Sequence, residues 1–237
     1  MRLTVTGTGM MGSLIYQMAE ENPAIEKVTA VEPVKGESLF DVEIPDVIID
    51  FSHPDALTDI CRFVQEGQGR TGVVFGTTGF TEEQLAEIRK LARIAPVIQS
   101  YNYSYGIQTM KKLLACARPM LDGRADMEII EKHHNLKTDV PSGTALMLAG
   151  ICDPEHCRRW LTGRNADGKR GKELGIHSLR GGTIFGEHSV IYAMEDEVIE
   201  ITHTAFSKRI FAKGAIEAAL WLNGRKPGIY TIEDVFY

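Results

Sequence analysis

The chain has 237 residues, a hydrophobic fraction of 43% and a net charge of −6 from 32 acidic and 26 basic residues. The acidic excess argues against non-specific binding to nucleic acid, and the composition is that of a globular protein. No apolar run reaches the ~18 residues of a membrane span, and Met1 to Thr6 is too short an apolar run for a secretion signal. We therefore expect a cytoplasmic protein that partners neither nucleic acid nor a membrane.

The cysteines give no sign of a disulfide framework or a metal centre. None of Cys61, Cys116, Cys152 and Cys157 forms a C-x-x-C pair. Cys152 and Cys157, with His156 between them, match no common zinc spacing. We expect reduced thiols and no bound metal.

A strand, a glycine-rich turn and a helix are predicted at the start of the chain. Residues 3–6 read as a strand, and residues 13–20 have helical spacing. Between them stands Gly7-Thr8-Gly9-Met10-Met11-Gly12, a G-x-G-x-x-G pattern in the context that dinucleotide-binding folds require. Such glycines permit a tight turn and let a pyrophosphate approach the helix N-terminus. The pattern therefore predicts a dinucleotide site.

The second predicted strand, residues 28–31, ends at Glu32, which lies 20 residues after Gly12. A carboxylate at this distance accepts hydrogen bonds from the adenosine ribose hydroxyls in dinucleotide-binding folds. A carboxylate also repels a 2′-phosphate, and Pro33 stands where an NADP-preferring site often has arginine. We therefore favour NADH, although Lys27 and Lys35 keep NADPH open.

Strands and helices continue to alternate up to residue 104. Further strands are predicted at 47–51, 72–75 and 96–99, and helices at 56–64 and 82–93. This alternation predicts a Rossmann-type doubly wound parallel sheet, in which ligands bind at the carboxyl ends of the strands. Two loops at such ends, Gly76-Thr77-Thr78-Gly79 and Ser100-Tyr101-Asn102-Tyr103-Ser104, join the glycine-rich turn and Glu32 on the predicted binding rim.

The alternation stops after a predicted helix at 107–120. Residues 158–173 are polar and contain several glycines, and we interpret them as a mobile surface loop, a lid or a plain linker. Strands at 176–180, 189–194 and 198–203 follow with short connections, which predicts an antiparallel meander. We expect a dinucleotide-binding domain of 1–104 and 213–237, and a second α+β domain of 105–212 with a mostly antiparallel sheet.

Charged and titratable residues on these later strands have structural alternatives to a functional role. We interpret His177, His188 and His203 as structural or exposed rather than catalytic. Arg180 could supply a guanidinium to an anionic substrate, and a structural role is equally compatible with its position.

The stretch from Glu131 to Ala145 concentrates groups that suit catalysis. His133 and His134 supply two imidazoles, a group type that can exchange a proton near neutral pH, and Lys137 adds a fixed positive charge. A helix predicted to begin near Ser142-Gly143-Thr144 offers backbone N–H groups to an anion. The plain alternative is a polar surface loop with a good helix cap. The combination favours a site for a small anionic substrate that receives a proton.

These residues resemble the 4-hydroxy-tetrahydrodipicolinate reductase family, formerly dihydrodipicolinate reductases, of bacterial lysine biosynthesis. The family signature, His-His-x-x-Lys-x-Asp-x-Pro-Ser-Gly-Thr-Ala, stands here as His133 to Ala145. Other matching segments are Gly76 to Gly79, Asn102 to Ser104, Gly186 to His188, Glu200 to His203 and Phe211 to Ile216. The resemblance implies an oxidoreductase that reduces 4-hydroxy-tetrahydrodipicolinate to tetrahydrodipicolinate with NADH or NADPH and loss of water.

The resemblance also implies a role for each matched position. His133 is expected to donate the proton, and Lys137 to act as a second donor and as a clamp on the substrate. The residues expected around the carboxylates of the dicarboxylate substrate are His134, Ser142, Gly143 and Thr144. Those expected to contact the nicotinamide cofactor are Gly7, Thr8, Gly9, Met10, Met11, Gly12, Glu32, Gly76, Thr77, Thr78, Ser100, Tyr101, Asn102 and Tyr103. Family members are typically homotetramers built through the sheet of the second domain, which we expect here too.

Two departures from the family pattern bear on the cofactor. The glycine-rich loop is one residue shorter than the common form, and Pro33 replaces a basic residue. Two other functions compete with the reductase. Another two-domain nicotinamide-dependent dehydrogenase, for instance one acting on an amino acid, would keep the first half but not the whole loop from His133 to Ala145. An NADH-sensing module would have no use for that loop and would need a basic nucleic-acid-binding segment, which the sequence lacks.

Overall fold

The structure is a computed structural model that describes residues 1–164 and 168–237. It divides into two compact units, Met1–Tyr105 with Arg209–Tyr237 and Gly106–Lys208. Within the described residues, no helix has both the length and the apolar character needed to cross a membrane.

The first unit begins with alternating strands and helices, as the sequence predicts. The strands are β1 (Arg2–Thr6), β2 (Lys27–Val31), β3 (Val47–Asp50), β4 (Gly72–Phe75) and β5 (Pro96–Gln99). The helices are α1 (Met10–Glu20), α2 (Leu57–Glu66) and α3 (Glu82–Leu91). β3 and β4 are buried at every position because helices cover both faces of the sheet, which explains why all their residues except Asp50 are apolar or glycine.

The second unit is built around one sheet with helices on one face. Its elements are α4 (Tyr105–Leu121, entered from the first unit), β6 (Asp126–His133), α5 (Gly143–Cys152), β7 (Arg159–Thr162), β8 (Glu173–Arg180), β9 (Gly186–Ala193) and β10 (Val198–Ala205). Alternate residues of β6, Met127, Ile129 and Glu131, point to the covered face. Met127 and Ile129 pack there against Leu148 and Ala149 of α5.

This second sheet is mixed, with the order β10-β9-β6-β8-β7. β9 and β10 form the predicted antiparallel pair, but β6 lies between β8 and β9, so the predicted three-stranded meander is wrong. β6 and β8 are parallel, and β7 and β8 are parallel too. The reason is the crossover through α5, which returns the chain in the same direction as β6. The expectation of a mostly antiparallel sheet therefore holds for only half of the strand pairs.

The segment 158–173, predicted as a mobile loop, contains a strand. β7 occupies Arg159–Thr162, and residues 165–167 of the segment lie outside the described residues. The strand is anchored because Trp160 Nε1 donates to Asp153 Oδ2 at 2.9 Å, and Arg158 pairs with Asp122 and with Asp153. Asp153 is buried at the end of α5, so it holds this segment on the unit.

The chain then returns to the first unit through α6 (Arg209–Leu222), β11 (Gly228–Tyr230) and α7 (Ile232–Phe236). β11 adds to β5 and completes a six-stranded parallel sheet with the order β11-β5-β4-β3-β1-β2. This confirms the Rossmann-type fold. The predicted domain boundary at residue 212 falls inside α6, whereas the structure assigns the whole helix to the first unit. Ala212, Ala215 and Ala219 of α6 are fully buried in the core of that unit, so the helix cannot be divided.

Candidate active site

A cavity of about 380 Å³ opens in the first unit at the carboxyl ends of β1 and β3. These strands are neighbours at the point where the order of the sheet reverses, which is where open α/β sheets bind ligands. Four predicted cofactor residues or their neighbours line it, namely Gly7, Gly9, Glu32 and Pro33. The other lining residues, which the sequence did not single out, are Phe51, Ser52, His53, Asp55, Ala56 and Asp59.

The glycines of the turn allow close packing on one side and an open approach on the other. Gly7 has φ +89°, and a Cβ there would lie 2.6 Å from the Phe51 carbonyl oxygen. A Cβ on Gly12 would lie 1.7 Å from the Gly7 oxygen, so α1 reaches the turn only because both residues are glycine. Space around Gly9, the residue that precedes α1, is open, and α1 has no side-chain N-cap. These features fit a pyrophosphate on the first N–H groups of the helix.

Glu32 lies against the same turn. Its Oε2 accepts from the backbone N–H of Thr8 at 2.6 Å and from Thr8 Oγ1 at 3.0 Å. Lys35 Nζ donates to Thr8 Oγ1 at 3.4 Å, so a cation also lies near this carboxylate. Met10 is 70% exposed beside the turn, whereas Met11 packs against the core of the unit. The first turn and Glu32 are thus brought together as predicted.

The two later loops place their predicted residues in different environments, and neither loop lines the cavity. Thr78 and Tyr101 are exposed, and Gly76 and Ser100 are half-buried. Thr77 and Asn102 are buried. Tyr103 is 2% exposed and donates its hydroxyl to the Phe75 carbonyl oxygen at 2.7 Å, so its side chain belongs to the core.

A buried aspartate, Asp50, connects three of these segments and was missed by the sequence analysis. Thr6 Oγ1 and Ser52 Oγ both donate to Asp50 Oδ1, at 2.6 and 2.5 Å. The Asp50 carbonyl oxygen accepts from the backbone N–H groups of Gly76 and Thr77. Burial raises the pKa of this carboxyl. Its place at the end of an otherwise apolar strand is the sequence signal that could have identified it.

In the second unit, the central group is the carboxylate of Glu131 near the end of β6. Its side chain has no exposed surface. Arg180 binds it through two bonds, Nη1 to Oε2 at 2.8 Å and Nη2 to Oε1 at 2.7 Å. The backbone N–H of Ser142 donates to Oε1 at 3.1 Å. Burial alone would raise the pKa of Glu131, but Arg180, Ser178, His133 and the Ser142 N–H lower it to about 2. Glu131 is therefore ionised at neutral pH.

The imidazole of His133 is fixed by this carboxylate. His133 Nδ1 and Glu131 Oε2 are 2.5 Å apart, so Nδ1 is engaged and Nε2 remains for other chemistry. Burial lowers the pKa of His133, the Glu131 charge opposes that effect, and the charges of Lys137 and Arg180 add to it. A Cβ on Gly186 would lie 3.1 Å from His133 Nε2, so a glycine leaves room beside that nitrogen.

His188 supports the same ring from β9. The two imidazoles meet edge to face with centroids 5.1 Å apart. Burial, reinforced by the charge of His133, lowers the pKa of His188 to about 3, so His188 is neutral near pH 7. Its Nε2 lies 3.1 Å from Ser142 Oγ, and that hydroxyl also caps α5 by accepting from the Ala145 N–H. The Ser142 hydroxyl, which the sequence predicts to contact the substrate, is therefore buried and bonded to His188 and to the backbone of α5.

The remaining predicted substrate residues lie around the start of α5. Gly143 is exposed with open space beside it, and Thr144 is half-buried. His134 is half-buried, and within the described residues its buried Nδ1 has no hydrogen-bond partner. Lys137 Nζ lies 2.7 Å from Asp139 Oδ1. Burial raises the pKa of Asp139, but Lys137 and the Gly143 N–H outweigh it and lower that pKa. The Asp139 carboxylate thus lies at the start of α5, where Lys137 and the Gly143 N–H bind a negative charge.

Arg180 has no N–H donor left for a substrate. Its five donors go to Glu131 twice, to the Lys137 carbonyl oxygen from Nε at 3.3 Å, to the Leu179 oxygen at 2.9 Å and to the Asp139 oxygen at 2.7 Å. The structural interpretation of Arg180 is therefore the one that the geometry favours. Glu131 stands at a buried position of an alternating strand, and that mismatch was a signal in the sequence.

Comparison with known proteins identifies the family. A family model described as "Dihydrodipicolinate reductase, N-terminus" matches residues 1–103, and one described as "Dihydrodipicolinate reductase, C-terminus" matches residues 106–236. The chain belongs to the dihydrodipicolinate reductase family. It is accordingly an oxidoreductase that uses a nicotinamide cofactor, and the expected activity, a reduction in lysine and diaminopimelate biosynthesis, is the activity of this family. The competing dehydrogenase and sensor interpretations are wrong.

Relatives of the chain match over its whole length. A protein of Exiguobacterium sibiricum named 4-hydroxy-tetrahydrodipicolinate reductase is 43% identical, covering 100% of this chain and 96% of its own. One of the same name from Caldanaerobacter subterraneus subsp. tengcongensis is 40% identical, covering 99% and 97%. The solved structure of a dipicolinate-bound dihydrodipicolinate reductase from Paenisporosarcina sp. TG-14 has a TM-score of 0.76 at 22% identity, covering 97% of each chain. At that identity the structure confirms the fold alone.

We predict that Tyr103→Phe destabilises the protein without weakening cofactor binding. The substitution removes one of two hydrogen bonds to the Phe75 carbonyl oxygen, which keeps its bond from the Ser100 N–H, so the free energy of unfolding falls by about 1 kcal/mol. Urea unfolding measures this, and a fluorescence titration gives the Kd of the cofactor. Tyr101→Phe, at a residue that is 58% exposed, is the control and leaves stability unchanged. A large rise in Kd with unchanged stability would show that the Tyr103 hydroxyl serves the cofactor instead.

Proposed function

We propose that the chain reduces 4-hydroxy-tetrahydrodipicolinate to tetrahydrodipicolinate, with His133 as the proton donor and Lys137 as the clamp on a substrate carboxylate. The observation that carries this proposal is the Glu131–His133 pair. A buried carboxylate on Nδ1 leaves Nε2 as the reacting nitrogen, which is the arrangement that an imidazole acid requires. The name of the relatives and the family signature at His133 to Ala145 support the same substrate.

The residues of the second unit supply the acid chemistry. Loss of the 4-hydroxyl as water leaves a C=C–C=N system in the ring, and its reduction places negative charge on a ring nitrogen or carbon. His133 neutralises that charge by giving up the proton on Nε2, while Nδ1 stays bonded to Glu131. His188 is neutral and lies edge-on to the ring, so it supports the orientation of His133 without competing for the proton.

The substrate carboxylates are proposed to bind where Asp139 now lies. Lys137 holds an anionic oxygen of Asp139 at 2.7 Å in this structure, and the N–H of Gly143, the first residue of α5, bonds to the same side chain. A substrate carboxylate replaces Asp139 on Lys137 and takes bonds from Gly143 and Thr144. His134 offers a further polar contact through Nδ1, which has no hydrogen-bond partner among residues 1–164 and 168–237. Ser142 contributes its place at the start of the helix rather than its hydroxyl.

The cavity of the first unit is proposed to hold the cofactor. When bound, the nicotinamide supplies the hydride for the reduction. The open start of α1 at Gly9 takes the pyrophosphate, and Glu32 takes the ribose hydroxyls. Gly76, Thr78, Ser100 and Tyr101 are accessible at the ends of β4 and β5 for the rest of the cofactor. We propose NADH as the preferred form, because Glu32 and the cavity residues Asp55 and Asp59 disfavour a 2′-phosphate.

We predict that His133→Gln lowers kcat at least about 100-fold, the lower range for loss of a general acid. The Kd of the cofactor stays unchanged, because the residue lies outside the cofactor site. Lys137→Ala lowers kcat and also raises the substrate KM, because it removes the cation that holds the carboxylate. Both are measured by steady-state oxidation of NADH with the condensation product of pyruvate and aspartate semialdehyde.

Lys132→Ala is the control for Lys137→Ala. Lys132 pairs with Glu187 on the opposite face of the sheet, so its loss removes the same charge without touching the proposed site. Near-wild-type kcat/KM in both His133→Gln and Lys137→Ala would eliminate the proposed roles.

We predict that Glu32→Ala weakens NADH binding by about tenfold, the value of one charged hydrogen-bonding group. NADPH binding falls less or improves, since the repulsion of the 2′-phosphate is lost with the carboxylate. Titration of each cofactor against each variant measures the ratio. Glu26→Ala, which removes an exposed carboxylate before β2, leaves the ratio unchanged. Equal losses for both cofactors in Glu32→Ala would remove Glu32 from ribose recognition.

We also propose that the protein is a cytoplasmic homotetramer assembled through the second sheet. The face of that sheet opposite α4 and α5 carries Ile130, Leu179, Ile191 and Val198, and Val198 is 61% exposed. We expect light scattering to give a mass of four chains of 26.3 kDa each. Val198→Lys should reduce that mass, and a wild-type protein that stays monomeric at micromolar concentration would contradict the proposal.

A further inference from the structure

We infer that Glu131 and Arg180 are positioning residues that set the protonation of His133: Glu131 holds the imidazole through Nδ1, and Arg180 holds Glu131. The inference rests on the proposed function, in which His133 is the proton donor, and adds the two residues that act through it. Neither residue belongs to the family signature from His133 to Ala145, and neither has a group directed to the substrate.

The geometry gives Glu131 one orientation. Both of its oxygens are used: Oε1 accepts from Arg180 and from the Ser142 N–H, and Oε2 accepts from Arg180 and from His133. With no exposed surface, the carboxylate has no water to turn towards. His133 Nδ1 therefore carries a proton in both of its charge states, and the proton that leaves is the one on Nε2.

Arg180 connects Glu131 to the loop between β6 and α5, which carries Lys137 and Asp139. Its guanidinium bonds to Glu131 of β6 and to the carbonyl oxygens of Lys137 and Asp139. The planar guanidinium has five donors and can bond to both oxygens of the carboxylate and to the loop carbonyl oxygens at the same time. A lysine ammonium cannot reproduce this arrangement. The same residue thus aligns His133 through Glu131 and the proposed clamp Lys137 through its backbone.

The charges around His133 have opposite effects on its proton. On β6, Glu131 favours the imidazolium. From the loop and from β8, Lys137 and Arg180 favour the neutral ring, as burial does. From β9, His188 is neutral near pH 7, and beyond it His203 of β10 is half-buried, which lowers its pKa. The start of α5 contributes the uncharged Ser142 hydroxyl, which is bonded to His188.

This balance predicts shifts of opposite sign for the two residues. Glu131→Gln keeps the size of the side chain but removes the negative charge, so the titration midpoint of His133 moves to lower pH by about one unit or more. Arg180→Gln removes a positive charge and leaves the carboxylate of Glu131 to the imidazole, so the midpoint moves to higher pH. A residue that served only to keep the fold intact would move both midpoints in the same direction or not at all.

The experiment is an NMR titration of the protein labelled with ¹⁵N-histidine, in which His133→Gln assigns the signals of His133. The pH dependence of kcat/KM is measured in parallel. We expect activity to fall at a lower pH in Glu131→Gln and at a higher pH in Arg180→Gln than in the wild type, because the donor must be protonated. The chemical shifts of Nδ1 and Nε2 report in addition which nitrogen carries the proton in the neutral ring.

Two further variants make the result specific. Glu187→Gln removes a carboxylate from the opposite face of the neighbouring strand β9, where it pairs with Lys132, and leaves the His133 midpoint in place. Arg180→Lys keeps the positive charge but loses the paired hydrogen bonds of the guanidinium to Glu131. We therefore expect a nearly unchanged titration midpoint of His133 with a lower kcat. If Arg180→Gln does not fold, Arg180→Lys tests the positioning by a lower kcat at an unchanged midpoint, and a wild-type kcat in Arg180→Lys would overturn the role of Arg180.

The outcomes separate the inference from the proposed function. An unchanged His133 midpoint in Glu131→Gln, or shifts of the same sign in Glu131→Gln and Arg180→Gln, would overturn the inference. Midpoints that move as expected while the pH profile of kcat/KM stays fixed would uphold the positioning of His133 and refute its role as proton donor.

Discussion

A fully buried carboxylate at the end of β6 is the constraint around which the second unit is arranged. Removing the Glu131 carboxylate from water is costly, and its four hydrogen bonds from three segments offset that cost. Each of those bonds fixes something that the proposed chemistry needs: the ring of His133, the start of α5 through Ser142, and the loop between them through Arg180. The Glu131 carboxylate, whose burial opposes folding, is thus also the group that fixes the geometry of the site.

In the first unit, the main constraint is access of a ligand to the start of α1. A dinucleotide needs a helix start that its pyrophosphate can approach, and a Cβ at Gly7 or Gly12 would collide with backbone. Asp50 then joins the loops that follow β3 and β4, through bonds to its carboxyl and carbonyl groups. The polar contacts of Asp50 therefore hold the loops at this edge of the sheet, while the space beside Gly9 remains open to a ligand.

Much of this was predictable from the sequence because the signals are local. The strand, turn and helix around Gly7 to Gly12 lie within twenty residues, and the His133 to Ala145 loop is a contiguous motif, so both appear in a linear reading. The strand order of the second sheet could not be predicted in this way, because the position of β6 between β8 and β9 depends on pairing between strands that are distant in sequence. Arg180 lies 49 residues from Glu131, and nothing local announces that its donors are all used. Tyr103 belongs to a matching segment, yet its hydroxyl is a core contact, since family resemblance does not distinguish a residue that shapes a loop from one that touches a ligand.

The most direct test of the account is a crystal structure of this protein with dipicolinate bound. We expect one carboxylate at the start of α5, with Lys137 released from Asp139 to hold it, His133 Nε2 directed at the ring, and Arg180 still on Glu131. Dipicolinate bound away from Gly143 and Lys137, or an Arg180 that leaves Glu131 to bind the ligand, would contradict the account.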